Sequence, residues 1–347
     1  MGDPKHSNAI LTRTPLRISF TGGGTDLPSF FEKSWGAVFS TAIDKYVYVT
    51  VKRHSELFFD RPDRPQGAQG RFRLNYSKSE EADSIDEIKN DIIRECLRLL
   101  EIEGPLYVST IGDIPASTGL GGSSAFAVGL LNALHAYRGE RVSPGQLAEE
   151  ASHVEIDILG NPIGKQDQYA AAFGGLNVFC FKPDGAVTVE HQRVSEKQRR
   201  QLFGSMMLFW TGHQRDASKI LAEQKENTVA EFDRLCRMRD QARYMQDLAA
   251  EGKLDSPTLG RLLDEGWQEK RKLASLISNA KIDDWYEKAL AAGATGGKLC
   301  GAGGGGFLLF IAPPDRRAAI SEALSDLVEV PFAYEAHGSQ SIRPFLS

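Results

Sequence analysis

Ile114-Pro115-Ala116-Ser117-Thr118-Gly119-Leu120-Gly121-Gly122-Ser123-Ser124-Ala125 decides how the rest of the chain is read. It follows a short apolar strand, Leu106 to Ile111, and runs into an Ala- and Leu-rich helix expected over Ser124 to Tyr137. Its glycines let backbone N–H groups converge without Cβ obstruction. Ser123 and Ser124 stand where the helix begins, at the positive end of its dipole. That favours an anion, most often a phosphate, and a serine hydroxyl there can reach a phosphate-bound cation. A tight strand-to-helix turn with a serine cap is the plainer reading of the same residues. The loop is not a Walker A sequence, because no Gly-Lys-Ser/Thr closes it. Gly164-Lys165 comes nearest, but Gln166 replaces the hydroxyl residue.

Working outward, two further glycine clusters appear among the 34 glycines of the 347-residue chain. Gly22-Gly23-Gly24-Thr25-Asp26 follows a strand ending near Phe20, and reads either as a turn capped by Asp26 or as a clamp for substrate hydroxyls. Gly296-Gly297-Lys298-Leu299-Cys300-Gly301-Ala302-Gly303-Gly304-Gly305-Gly306 formally contains G-x-G-x-x-G. A dinucleotide fold needs strand, glycines, helix in that order. Here a helix precedes the loop and a strand, Phe307 to Ile311, follows it, so that reading is rejected. So many glycines imply close backbone approach to a ligand or another loop, or a mobile lid, with Lys298 supplying charge.

Two carboxylates stand out. Asp167 lies early in a helix that Asn161-Pro162 is expected to open, two residues from Lys165. An acidic residue there often does no more than complement the helix dipole. Glu155 belongs to the helix opened by the capping box Ser143-Pro144-Gly145-Gln146. At about 100° per residue it falls roughly 80° from Leu147, at the edge of the apolar face. A carboxylate there wants a cation, either Mg²⁺ or an arginine.

The remaining pattern is two-part. Strands are expected over residues 10–20 and 37–51, the latter broken by a turn at Asp44-Lys45. An exposed loop follows at 60–71, an amphipathic helix from Ile85 to Leu100, and a hairpin over 175–181 and 186–191. The charged stretch 193–205 reads as the boundary between domains 1–195 and 196–347. Beyond it come a strand near Met206–Trp210, a long helix over 216–249, helices at 257–278 and 283–292, the strand at 307–311, a helix at 314–327 and a last strand near 329–335. That order gives an α+β second domain with antiparallel pairing. A net charge of −5 does not favour a nucleic-acid or anionic-membrane partner. Four scattered cysteines, no apolar run of membrane length and a polar start point to a soluble, reduced, cytoplasmic protein.

Pro15-Leu16-Arg17 with Gly22–Asp26, then Pro115 to Ala125, then Lys298 to Gly306, in this order, resemble the three motifs of the galactokinase, homoserine kinase, mevalonate kinase and phosphomevalonate kinase (GHMP) superfamily. The resemblance spans residues 13 to 310. It implies an α+β two-domain fold, with a ribosomal-S5-like first domain, a ferredoxin-like second domain and ATP between them. Pro115, Gly119, Gly121, Gly122, Ser123, Ser124, Gly303 and Gly304 would contact ATP. Ser124 and Glu155 would hold Mg²⁺, Asp167 would face the accepting hydroxyl, and Arg17 or Lys165 would hold Asp167 ionised. Gly24, Thr25 and Asp26 would meet the sugar. The chain departs from the pattern at Gly23, where galactokinases carry an acidic residue, and at Gly121-Gly122, where many members have one glycine.

Arg17 to Asp26, His153-Val154-Glu155, Gly164 to Tyr169 and Thr211-Gly212-His213-Gln214-Arg215-Asp216-Ala217-Ser218 resemble the heptose 7-phosphate kinases in particular. The implied reaction is transfer of the ATP γ-phosphoryl to the anomeric hydroxyl of D-glycero-D-manno-heptose 7-phosphate, giving the 1,7-bisphosphate. Arg215 or Lys219, at a helix start, would grip the sugar's own phosphate. A fucokinase- or galactokinase-like sugar 1-kinase, an ATP-dependent decarboxylase and a non-catalytic sugar sensor are the alternatives. The partner is a small sugar or sugar phosphate, with a homo-oligomer compatible.

Overall fold

The computed structural model describes residues 9–53, 71–213 and 217–342. The first half runs β1 (Ile10–Thr21), α1 (Pro28–Phe31), β2 (Gly36–Arg53), β3 (Phe72–Asn75), β4 (Ser79–Ala82), α2 (Asp91–Leu99), β5 (Leu106–Gly112), α3 (Gly122–Tyr137), α4 (Pro144–Ser152), α5 (Gln166–Phe173), β6 (Leu176–Phe181) and β7 (Val187–His191). The second runs α6 (Glu196–Ser205), β8 (Met206–Trp210), α7 (Ala217–Asn227), α8 (Phe232–Ala250), α9 (Ser256–Lys270), α10 (Ala280–Ala291), β9 (Gly296–Leu299), β10 (Phe307–Ile311), α11 (Arg317–Ala323), β11 (Val328–Glu329) and β12 (Gln340–Ile342).

The first eight-stranded sheet is built on β2, which serves two neighbours. Its first half pairs with β6, its second with β5, and β1 runs antiparallel along both. The expected turn at Asp44-Lys45 is a bulge instead. Pro15 faces Tyr46 and Leu16 faces Ile43, so two residues are looped out of an unbroken strand. Asp44 is engaged there by the C-terminal segment, its N–H donating to the Ala333 carbonyl (3.0 Å) while its carboxylate takes the Ala333 N–H (2.6 Å). The chain then returns to the first sheet, where β12 pairs with β1. Helix α3 packs beneath, close enough that the Thr12 hydroxyl donates to the Gly129 carbonyl at 2.8 Å.

The second sheet has the order β11-β8-β10-β9, antiparallel as expected, with a core of Phe209, Trp267, Trp285, Tyr286 and Phe310. Strand β9 occupies the start of the third glycine cluster, which the sequence presents as loop. A Cβ on Gly297 would lie 2.4 Å from the Leu309 carbonyl oxygen, so glycine is what lets this strand pack, although it carries no strand propensity. The long helix expected over 216–249 divides into α7 and α8. Thr228 bonds back to the Gln224 carbonyl (3.1 Å) at the break, and both Gln224 and Leu235 are thereby brought against Gly24. The helix expected to reach Leu100 from Ile85 is a 3₁₀ turn, Ile85–Glu87, followed by α2, whose cap Asn90 accepts the Ile93 N–H. The loop expected at 60–71 lies outside the described residues but for Arg71. Among the described residues no helix is long and apolar enough to cross a membrane, and the four cysteines are free.

Candidate active site

A cavity of about 740 Å³ opens between the two halves, and all three glycine clusters contribute to its wall. The register of the central loop follows from its dihedrals. Gly119 and Gly121 have φ of +85° and +78°, and Gly121 caps α3, so Gly122 is the first helical residue. The extra glycine is therefore a cap in the left-handed region followed by a helix start. The first turn of a helix leaves N–H groups without an intrahelical acceptor, and here Gly121, Gly122, Ser123 and Ser124 present it to the cavity.

The third loop fixes the second by backbone contact. A Cβ on Gly301 would sit 2.3 Å from the Gly119 Cα, and one on Gly306 would sit 2.3 Å from the Thr118 carbonyl oxygen. Gly301 and Ala302 line the cavity. Gly303 and Gly304 do not; they pack against Ile277, whose carbonyl accepts the Gly304 N–H at 2.9 Å.

Arg17, buried on β1, joins the parts. Its Nε and Nη2 donate to the two oxygens of Asp167 at 2.8 and 2.7 Å, and its Nη1 donates to the Gly119 carbonyl at 2.7 Å. A bidentate pair of this kind fixes the orientation of the carboxylate as well as its charge. Lys165 is not brought to the site. It caps α5, and its amine goes the other way, to Glu149 (3.1 Å) and the Gly185 carbonyl (3.3 Å). Residues two apart at a helix start point to different sides of it.

Helix α5 opens at Gln166, not at Asn161-Pro162. Its start is held in trans by Asp26, whose carboxylate accepts the Gln166 N–H (3.3 Å) and the Gly24 N–H (2.8 Å). A Cβ on Gly164 would fall 2.0 Å from the Asp26 carboxylate, so glycine is required where the two segments meet. Burial raises the Asp26 pKa; its backbone N–H partners oppose the rise and Asp167 adds to it. Thr25 is fully buried and spends its hydroxyl on the Gly22 and Ala37 carbonyls, so it shapes the turn without lining the cavity. Arg215 lies outside the described residues, and Lys219 is exposed.

Glu155 sits deeper than its helical phase implies. The helix widens to a π-helical turn over His153–Ile158, and Glu155 is fully buried on the cavity wall. Ser123 donates to its Oε1 and Gln168 to its Oε2, both at 2.7 Å. Ser123 rather than Ser124 makes the hydroxyl contact at hydrogen-bond geometry; the Ser124 hydroxyl lies nearby and also favours the charged form. Burial nonetheless raises the carboxyl pKa, and among the described residues no Arg or Lys forms an ion pair with it.

Sequence reasoning missed Gln166, Gln224 and Lys270 on the cavity wall. Lys298, read only as a source of charge, is buried and donates to the Ser19 and Phe20 carbonyls at 2.6 and 2.9 Å.

A loop that offers N–H groups to an anion, facing a carboxylate oriented by arginine, is the arrangement of a small-molecule phosphotransferase. Comparison with known proteins agrees. The model for the GHMP kinases N terminal domain matches residues 90–175, and that for the GHMP kinases C terminal matches 246–329. The chain is 30% identical to a D-glycero-alpha-D-manno-heptose 7-phosphate kinase of Campylobacter jejuni, over 91% of this chain and 93% of that one. It is 25% identical to a galactokinase of Pyrococcus furiosus, over 94% and 96%. A solved D-glycero-D-manno-heptose 1-phosphate kinase from Bacteroides thetaiotaomicron superposes with a TM-score of 0.77 at 24% identity, covering 97% of this chain and all of that one. The chain belongs to the GHMP kinase family and is a sugar kinase.

Proposed function

We propose that this kinase transfers the γ-phosphoryl group of ATP to the anomeric hydroxyl of D-glycero-D-manno-heptose 7-phosphate. The observation that carries the reading is the Arg17–Asp167 pair, locked to the phosphate loop through the Gly119 carbonyl. It supports the reading because an oriented carboxylate stands next to the loop that would hold the donor. The chemistry is in-line displacement at phosphorus, which needs positioning and charge neutralisation more than covalent help. Gly119 to Ser124 cradle the phosphates, and Tyr76, Thr110, Ile114 and Phe126, which also line the cavity, offer apolar and aromatic surface for the base. Asp167 orients the sugar hydroxyl and takes its proton, while Arg17 keeps its carboxylate aimed. Gly24, Asp26, Gln166 and Gln224 surround the acceptor end. A Cβ at Gly23 would stand in ordinary contact with Gln166 Nε2, at 3.5 Å, so a side chain at this position would meet Gln166.

Mg²⁺ fits Glu155, a buried carboxylate with neutral donors on both oxygens and, among the described residues, no ion-pair partner. Bound by Glu155 with a hydroxyl of Ser123 or Ser124, it would neutralise charge on the phosphates. Glu155→Gln is therefore expected to raise the Mg²⁺ concentration for half-maximal activity by at least on the order of tenfold. The melting temperature of the apoprotein should not fall, because burial already disfavours the charged form. A lowered melting temperature with unchanged Mg²⁺ dependence assigns Glu155 a structural role instead.

ADP release tests the substrate. With ATP and Mg²⁺, heptose 7-phosphate should be turned over in strong preference to the free heptose, galactose and fucose. Equal use of phosphorylated and free sugars overturns the heptose-phosphate reading in favour of a fucokinase-like one. CO₂ release with ADP identifies a decarboxylase, and no ADP with any sugar identifies a sensor.

A further inference from the structure

The cavity holds two buried amines. Lys270, the last residue of α9, and Lys298, in β9, are 8% and 5% exposed, and both line the same cavity as the phosphate loop, Asp26 and Asp167. Among the described residues neither forms an ion pair with a carboxylate. Their hydrogen bonds differ. Lys298 is committed to two carbonyls at the end of β1. Lys270 donates only to the Gly301 carbonyl, which leaves further ammonium protons with no acceptor among the described residues.

The position of that amine is fixed. Gly301 lies backbone-to-backbone on Gly119, and the Gly119 carbonyl holds Arg17, which holds Asp167. Lys270 thus stands at the junction of the second and third loops, within electrostatic reach of Arg17, Asp26, Asp167, Lys298 and the Cys300 thiol. A buried ammonium without a counter-ion is costly unless an anion completes it. Arg17 is already satisfied by Asp167, so it cannot serve that anion as fully. Burial pulls the Lys270 pKa down to about 8, which keeps it charged at neutral pH. Lys298 is pulled well below its ordinary range, first by burial and then by Lys270.

We propose that Lys270 is a catalytic residue whose ammonium binds a non-bridging oxygen of the phosphoryl group as it passes from donor to acceptor. The proposal rests on the kinase reading above. The acceptor oxygen forms its bond to phosphorus as the bond from phosphorus to the β,γ-bridging oxygen breaks, and the electron pair leaves with ADP. The hydroxyl proton goes to Asp167, and Lys270 stays protonated throughout. Lys298 is a positioning residue that holds the β1 carbonyls behind it.

Calorimetric titration of the full chain with the non-hydrolysable ATP analogue AMPPNP and with AMP, both with Mg²⁺, tests this. In Lys270→Met the stem is kept and the charge lost. AMPPNP affinity should fall on the order of 10- to 100-fold, while AMP affinity holds. Equal affinity of Lys270→Met and wild type for AMPPNP overturns the proposal, and so does an equal loss for both nucleotides, which marks a structural role. Failure of the wild type itself to bind AMPPNP overturns the kinase reading, and this proposal with it. Lys270→Arg covers the case in which the methionine variant does not fold. In wild type kcat/KM for ATP should decline above pH of about 8, and in Lys270→Arg that alkaline limb should move up by more than roughly one pH unit. An unmoved limb overturns the proposal.

Discussion

Asp167→Asn is expected to give a folded protein that binds AMPPNP with near wild-type affinity and loses on the order of 10²–10⁴ in kcat. Asparagine keeps one oxygen for Arg17 and so keeps the arginine on the Gly119 carbonyl, which leaves the phosphate loop in place. What it removes is the acceptor for the sugar hydroxyl's proton. A stability cost accompanies this, because Arg17 is 4% exposed and loses its charged partner. Truncating one partner of a fully buried pair costs about 3–5 kcal/mol. The Asp167 side chain is 24% exposed, so the loss here is smaller and a melting curve should register it as a few degrees. The combination separates chemistry from architecture. If the effect ran through the loop, AMPPNP binding would fall together with kcat. A kcat within a few-fold of wild type removes Asp167 from the mechanism.

What the sequence revealed of this site, and what it hid, follows from the range of each signal. The three glycine clusters were legible because close backbone approach leaves a local mark, a missing Cβ. The partner in each approach was not: nothing near Gly301 says that Gly119 lies against it. Glu155 was legible as a semi-buried carboxylate from α-helical phase, but full burial comes from the π-helical turn, which shifts that phase. Lys165 reads as a site residue because two positions in sequence look like proximity, whereas Glu149, on another helix, decides where its amine goes. Lys270 was invisible for the opposite reason. Glu269-Lys270-Arg271-Lys272 is a charged run inside the helix expected over 257–278, and only the packing of β9 and the third loop on α9 buries its second member. Asp26 likewise caps a helix 140 residues away in the chain, a distance at which capping has no sequence signature.

Gly301→Ala should be damaging to both stability and nucleotide binding. Its φ of +72° strains any residue with a Cβ, and the new methyl would overlap the Gly119 backbone, with no flexible side chain to move aside. Strain and overpacking together cost about 2–5 kcal/mol. Both the melting temperature and AMPPNP affinity should fall, because the displaced neighbour is the phosphate loop itself. Gly122→Ala supplies the contrast. Nothing lies within 4 Å of a Cβ at that position, and its φ is not in the left-handed region. As the first residue of α3 it should gain up to about 0.5–1 kcal/mol from replacing glycine. The fold therefore gives no reason for glycine at 122, whereas it does at 119, 301 and 306. A Cβ at 122 would stand on the cavity wall, where the proposed donor phosphates approach. Gly122→Ala should accordingly melt no lower than wild type yet bind AMPPNP more weakly, the two readouts moving apart where in Gly301→Ala they move together. Wild-type AMPPNP affinity in Gly122→Ala would show that the donor phosphates do not approach the start of α3.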